Sequence, residues 1–232
     1  MKITIEPIGI INSCYPEKFG IPRQPGLVKS STARLLLYEP YNRVEMVKGL
    51  EEFSHLWIHF LFHETVNKGW RPTIRPPFLG GKKRIGVFAG RSPHRPNHLG
   101  MSVVSLSAIV KEKKNLYLEL KGVDILDQTP VVDIKPYIPY SDRVDTATMG
   151  FTSWPQTLRD VSFSDEADSF CQHYESAKGR PLRQLIRETI EHDPRPASHR
   201  TSKREYGMLL WDVNVKFMAD CDSFVVNKIE MR

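Results

Sequence analysis

The feature that most constrains this chain is a series of short apolar segments, each cut off by proline or glycine, from Ile3 to about Tyr140. ITIEPIGII alternates early and is broken by Pro7 and Gly9. Ala33–Glu39, Phe53–Glu64, Arg84–Ala89, Met101–Val110, Leu116–Gly122 and Val131–Tyr137 follow, with few helical windows among them. Short strands spaced by Pro and Gly turns predict a small antiparallel or mixed β-barrel. Strand–helix alternation long enough for a doubly wound sheet is absent, as are GxGxxG after a strand, a P-loop and GxSxG. A Rossmann-type enzyme is therefore disfavoured.

The texture changes over residues 142–158, where Ser, Thr, Asp, Gly and Trp154-Pro155 read as a linker. Val161–Ser164 reads as a strand, and Ser164 caps a helix from Asp165 to about Ala177, with acids in its first turn. Gly179 stops it, and Pro181 suits the first position of a second helix, Leu182–His192. A polar, basic stretch, Asp193–Tyr206, precedes a strand from Leu210, which Ser223–Met231 joins as a hairpin. The expected class is mainly β (α+β). A barrel domain at 1–141 is followed by the linker and a small α+β domain at 159–232, with 232 residues allowing one or two domains.

Lys and Arg number 33 against 27 Asp and Glu, a net charge of +6, which mildly favours a polyanionic partner. Hydrophobic residues at 40% exclude disorder as the main state. No apolar run approaches the roughly 20 residues that span a bilayer. MKITIEPIGI lacks the apolar region of a secretory leader, so a cytoplasmic location is expected. The three cysteines, Cys14, Cys171 and Cys221, are too scattered for a disulfide framework or zinc knuckle.

Four segments carry candidate chemistry. Arg91–Ser102 packs two Arg, two His and an Asn into a loop stiffened by two prolines, a dense set of donors or simply a basic turn. Gly122–Tyr137 sets Asp124, Asp127 and Asp133 among apolar residues. Asp127 reads as a turn aspartate that satisfies backbone donors, and Asp124 is free to meet ribose hydroxyls or a cation. His55, His59 and His63 share one face at strand or helical spacing. On a strand the outer two imidazoles would lie about 26 Å apart, too far to share an ion. Pro22, Pro25 and Gly26 fix an irregular loop within Phe19–Val28 that can present backbone groups to a ligand.

IGIINSCY, EKFGIPRQPGLV, LEEFSHLWI, FHET, GWRPTIRPPFLGG, RIGVFAGRSPHRPNHLGMS and DILDQTPVVDIKPY, in this order, resemble the TsaA/TrmO family over roughly residues 5–140. Asp193-Pro194-Arg195-Pro196-Ala197 looks like part of that family's bacterial-type C-terminal domain. One departure is Gln128 where the family often has Gly. It implies a turn without positive φ, or tolerance of it by Gln.

The resemblance implies an S-adenosylmethionine-dependent methyltransferase built on a small β-barrel. It would methylate N6 of threonylcarbamoyladenosine at position 37 of threonine tRNA. It implies cofactor contacts at Pro25, Gly26, Leu27, His63, Glu64, Arg91, Met101, Lys121, Gly122, Val123 and Asp124. Arg91 would anchor a carboxylate, and Asp124 would meet the adenine amino group or a ribose. Asp124 and Tyr137 are the candidate catalytic residues, Tyr137 by receiving the unstacked base. Lys82, Lys83, Arg95, Arg195, Arg200, Lys203 and Arg204 would hold tRNA phosphates. The resemblance also implies a homodimer with the cofactor near the subunit interface, and neither a metal nor a membrane partner. Two competing readings are a non-catalytic RNA- or nucleotide-binding barrel and a metal-dependent hydrolase using the three histidines.

Overall fold

The computed structural model describes residues 2–152, 157–196, 199, 202–220 and 223–232. Six strands close a barrel: β1 (Gly9–Ser13), β2 (Thr32–Leu37), β3 (His55–Leu61), β6 (Leu99–Glu112), β7 (Asn115–Lys121) and β8 (Thr129–Pro136). Between β3 and β6 lies a two-stranded ribbon of β4 (Thr73–Ile74) and β5 (Ile85–Gly86). The barrel order is β1-β2-β7-β6-β3-β8, and every neighbouring pair is antiparallel. Directions therefore alternate around the barrel. β1, β3 and β7 end, and β2, β6 and β8 begin, at one and the same mouth.

Alternation fills the interior. Leu35 and Leu37, Leu56, Ile58 and Phe60, and Leu116, Leu118 and Leu120 are buried. Their neighbours along each strand face outward. β6 is long enough to pair first with β3 and then with β7, and a register shift between Leu106 and Ala108 turns the corner. Arg84–Ala89, expected as a strand, supplies only the two residues of β5. Val87–Ala89 is a 3-10 turn.

After short helices α1 (Val44–Val47) and α2 (Pro139–Asp142), the chain builds a second sheet. Its order is β10 (Arg204–Leu210), β11 (Val213–Asp220), β12 (Ser223–Met231) and β9 (Asp160–Phe163). α3 (Asp165–Lys178) and α4 (Leu182–Glu191) pack on it. Ser164 Oγ accepts from the Ala167 N–H at 3.2 Å, and Gly179 closes α3 in the left-handed region at φ 66. Pro181 sits at the N-cap of α4, one place before its expected position. The expected strand from Leu210 is two strands. β10 runs up to Leu210, and a tight turn at Trp211 leads into β11. Trp154-Pro155 of the expected linker lies outside the described residues.

The two sheets share one continuous apolar core, joined through the β1–β2 loop. Phe19 stacks on Tyr206 and Phe217 of the second sheet. Trp211 N–H donates to the Cys14 carbonyl at 2.9 Å, and Leu209 N–H to Glu17 at 2.8 Å. Cys14 and Cys171 are buried and unpaired, and burial pushes the Cys14 thiol up to about 12.

Gln128 adopts φ 59, so the turn before β8 does need the left-handed region and Gln occupies it. Asp127 fills the turn role expected of it, with Oδ1 accepting the Ser13 N–H at 2.9 Å.

Candidate active site

Chain direction brings the chemistry to one mouth of the barrel. The β1–β2 loop, the residues after β7 and the loop before β6 all converge there. Gly26 N–H donates to the Gly122 carbonyl at 2.8 Å, and Gly122 N–H to the Ser31 carbonyl at 2.9 Å. Gly26 (φ 75) and Gly122 (φ 69) both lie where side chains are strained, and the Gly122 Cβ position is 3.5 Å from Gly26 Cα. Ser31 Oγ donates to the carbonyls of Val28 at 2.7 Å and Val123 at 2.9 Å. Two segments far apart in sequence, Pro25–Leu27 and Lys121–Asp124, are thus stitched together.

Asp124 follows this seam into the mouth. Its Oδ1 accepts from Ser102 Oγ at 2.6 Å, and Ser102 points inward from β6. Burial raises the Asp124 carboxyl from 3.8 to about 6, against the Ser102 hydroxyl, its own backbone and the Arg91 charge, which lower it. The group is a carboxylate at neutral pH held close to its titration range, an arrangement characteristic of functional sites.

A cavity of about 1050 Å³ opens along the Pro25–Leu27 and Arg91 segments; Asp124, whose carboxyl the Arg91 charge reaches, is not among the residues that line it. Pro25, Leu27, Ile74, Pro76, Met149 and Phe151 give it apolar surface. Arg23, Arg71, Arg75, Arg84 and Arg91 also line it. Among the described lining residues there is no Asp or Glu. Arg91 donates to Gln24 Oε1 at 2.5 Å, and Arg84 to Thr73 Oγ1 at 3.0 Å. The Arg91–Ser102 loop is braced rather than loose. Arg95 donates to the Gly90 carbonyl at 3.0 Å, Arg71 N–H to the His94 carbonyl at 3.0 Å, and Thr65 Oγ1 to the Pro93 carbonyl at 3.2 Å. Asn97 and His98 both take positive φ, strain that these contacts hold in place.

The donor set suits a nucleoside carrying an amino acid. Arginines match a carboxylate, the apolar wall matches a ring or thioether chain, and a buried carboxylate accepts from an amino or hydroxyl group. Pro25, Leu27 and Arg91 line the cavity. Gly26, Gly122 and Val123 are not among its lining residues and connect to it only through the Gly26–Gly122 hydrogen bond behind Pro25 and Leu27, and Lys121 is exposed at the end of β7.

Other expected residues stand apart. His63 Nδ1 lies 3.4 Å from Thr129 Oγ1 at the mouth but off the cavity wall. Glu64 pairs with Lys18 at 3.4 Å on the surface. Met101 points outward from β6 beside His59, 45% exposed. Tyr137, expected to receive the base, follows β8 at the opposite mouth and packs on Trp57 and His55. Alternation and strand direction both carry it away from Asp124. Asp133 pairs with Lys135 on the outer face. His55 and His59 lie on the outer face of β3 and His63 lies beyond its end. Among the described residues no group of three His, Cys, Asp or Glu side chains can hold a metal ion.

The tRNA-contact expectations divide as sharply. Lys82 and Lys83 are exposed at the tip of the β4–β5 ribbon, and Arg204 is exposed on the sheet edge. Lys203 is exposed and pairs with Asp220 at 3.1 Å. Arg95 is tied to Gly90 as above. Arg195 is 1% exposed and bound to Asp193, so it is no surface contact. Arg200 lies outside the described residues. Sequence reading missed Arg71, Arg75, Met149 and Phe151 as cavity residues. The two Arg stand in GWRPTIRPP, where a proline directly after each signals a held loop, whereas nothing in the linker composition marks Met149 or Phe151.

Residues 10–143 match the family model of the tRNA-methyltransferase O N-terminal domain, and residues 155–232 match the TrmO C-terminal domain. The chain belongs to the tRNA-methyltransferase O family. An Escherichia coli K12 relative named tRNA (adenine(37)-N6)-methyltransferase is 46% identical over 98% of this chain and 97% of its own. A Pseudomonas aeruginosa relative, named a putative S-adenosylmethionine-dependent methyltransferase, is 42% identical over 93% of this chain and 92% of its own. A crystal structure of TrmO from Pseudomonas aeruginosa superposes with a TM-score of 0.83 at 37% identity, covering 99% of each chain. The barrel and the sheet-and-helix unit are therefore the tRNA-methyltransferase O architecture.

Proposed function

We propose that the chain transfers a methyl group from S-adenosylmethionine to N6 of threonylcarbamoyladenosine at position 37 of threonine tRNA. Family membership supports the coarser statement, that it is an S-adenosylmethionine-dependent tRNA adenine-N6 methyltransferase. The observation that carries the reading is the cavity at the Asp124 mouth, walled by five arginines with no Asp or Glu among its described lining residues. The cofactor brings one carboxylate, and a tRNA substrate supplies both a base and the phosphates that further arginines suit.

S-adenosylmethionine supplies a methyl carbon activated by its sulfonium. This chain supplies position and charge. Arg91 holds a carboxylate, and Leu27 and Pro25 pack against the bound nucleoside. Asp124, ionised at neutral pH, accepts from an amino group and takes the proton that the acceptor nitrogen sheds. Lys82 and Lys83 on the ribbon meet backbone phosphates of the anticodon arm. A homodimer would bring a second surface to His63, Glu64 and Met101, which one protomer leaves off the cavity wall. Light scattering of the purified protein checks that assembly.

The deciding experiment is transfer of labelled methyl to bulk tRNA, with and without threonylcarbamoyladenosine. Label entering only the modified pool is the expected result. Label entering both pools overturns the requirement for the modified base. Label entering neither, with cofactor binding intact, overturns the acceptor.

A further inference from the structure

Asp193-Pro194-Arg195 lies at a corner where the C-terminal unit reaches back to the cavity loop. α4 ends at Glu191, and Asp193 turns the chain at φ 50 with 5% of its surface exposed. Three groups from this corner meet the β1–β2 loop. Glu188 Oε2 accepts from both Ser30 N–H and Ser30 Oγ at 2.8 Å. His192 Nε2 donates to the Leu27 carbonyl at 3.1 Å; a carbonyl only accepts, so this nitrogen carries the hydrogen. The Asp193 carbonyl accepts from the Arg23 guanidinium at 3.3 Å.

The corner is itself locked. Arg195 Nε and Nη2 grip the two Asp193 carboxylate oxygens at 2.7 and 3.1 Å, and the guanidinium lies 4.8 Å from the Phe224 ring centroid. A buried bidentate pair fixes both the carboxylate and the direction of the backbone carbonyl beside it. Arg23 and Leu27 are the anchored partners, and both are cavity wall.

We infer that the Glu188–Arg195 corner is a positioning device for the barrel's cofactor loop and sets its affinity for S-adenosylmethionine. On the barrel side, Arg23–Leu27 is held by Gly26 on Gly122 and by Gln24 on Arg91, and a side chain at Gly26 would meet nothing within 4 Å. A loop left to order on binding would do so at the expense of binding free energy. The corner orders it beforehand. Glu188 thus acts through Ser30, His192 through Leu27, and Asp193 with Arg195 through Arg23, rather than on the ligand. The inference rests on the proposed function, in that it takes the cavity as the cofactor's.

The test uses full-length Glu188→Ala and His192→Ala proteins, since Arg195 substitutions risk the core. Cofactor Kd by calorimetry is expected to rise about tenfold in each, with KM for cofactor rising in step and kcat held within about twofold. Affinity for bulk tRNA stays unchanged. Glu188→Gln, which keeps an acceptor oxygen for Ser30, recovers part of the loss. A purely structural corner would lower the thermal midpoint and leave the Kd of the folded protein unmoved, which overturns the inference. So does a loss of tRNA affinity with cofactor affinity intact. Arg91→Ala separates the two layers. If it weakens cofactor binding while the corner variants do not, the positioning role alone fails. If none of them does, the cavity is not the cofactor site and both fail.

Discussion

Asp124→Asn tests whether the carboxylate at the barrel mouth is held there against the fold's own preference. Burial raises its carboxyl from 3.8 to about 6, so the folded protein prefers the neutral form more than the unfolded chain does. Below 3.8 both states are protonated and the fold suffers no penalty. As pH rises from 3.8 to about 6 the unfolded chain ionises first, and stability is lost; above that window the loss is constant. At 1.36 kcal/mol per unit the full shift corresponds to about 3 kcal/mol, and solvent reaching the part-exposed side chain reduces this to about 2 kcal/mol. Asn keeps an oxygen for the Ser102 hydroxyl and removes the charge. In urea unfolding at pH 7.5 the variant is therefore expected to be about 2 kcal/mol more stable than the parent, with the two curves converging toward pH 4. Methyl transfer is expected to fall by about two to four orders of magnitude, the range for a positioned base. Parallel stability curves across that pH range would refute the burial argument. Full activity in the stabilised variant would make Asp124 a structural residue alone.

Gln128→Gly relieves a side chain at φ 59. It is expected to raise unfolding stability by about 0.5–1 kcal/mol, with an unchanged or lower urea midpoint counting against the strain. Arg91→Ala removes both the proposed carboxylate anchor and the cation that lowers Asp124. Calorimetry is expected to read a roughly tenfold weaker cofactor affinity, and the acid limb of the rate profile moves to higher pH; an unmoved limb removes the Arg91–Asp124 coupling. Reversing charge at Lys82 and Lys83 together is expected to weaken tRNA binding and flatten its salt dependence by about 0.7–0.9 per lost phosphate contact, with cofactor affinity untouched. An unchanged slope would take the ribbon tip off the RNA path.

What could be read in the sequence was whatever depends on near neighbours. The barrel strands show as alternation, the helices as caps at Ser164 and Gly179, and Asp127 as a turn residue. What could not be read depends on where strands point once the barrel closes. Met101 and Ser102 are adjacent, yet Ser102 turns inward to Asp124 and Met101 turns out beside His59. A period of two separates them absolutely, and nothing local says which of the pair faces in. The position of Tyr137 depends on the same geometry on the scale of the whole barrel, because β8 begins at the Asp124 mouth and carries it to the other one.

Arg195 shows the opposite failure, of charge rather than direction. In a stretch with His192, Arg200, Lys203 and Arg204 it reads as one more solvated cation, since arginines are rarely buried unless paired. Its partner Asp193 stands only two residues away, too close for a surface ion pair to be remarkable in sequence. The signal lay in the prolines. Pro194 and Pro196 confine the backbone on both sides of Arg195, and a rigid backbone is of little use to a side chain meant to search for phosphates. A weaker form of the same signal, a proline directly after each arginine, marks Arg71 and Arg75 in WRPTIRPP, both of which line the cavity. In this fold an arginine beside proline is a placed charge, and whether it is placed in the core or on a binding wall is decided by the carboxylate it meets: Asp193 for Arg195, and for Arg71 and Arg75 none among the described residues lining the cavity.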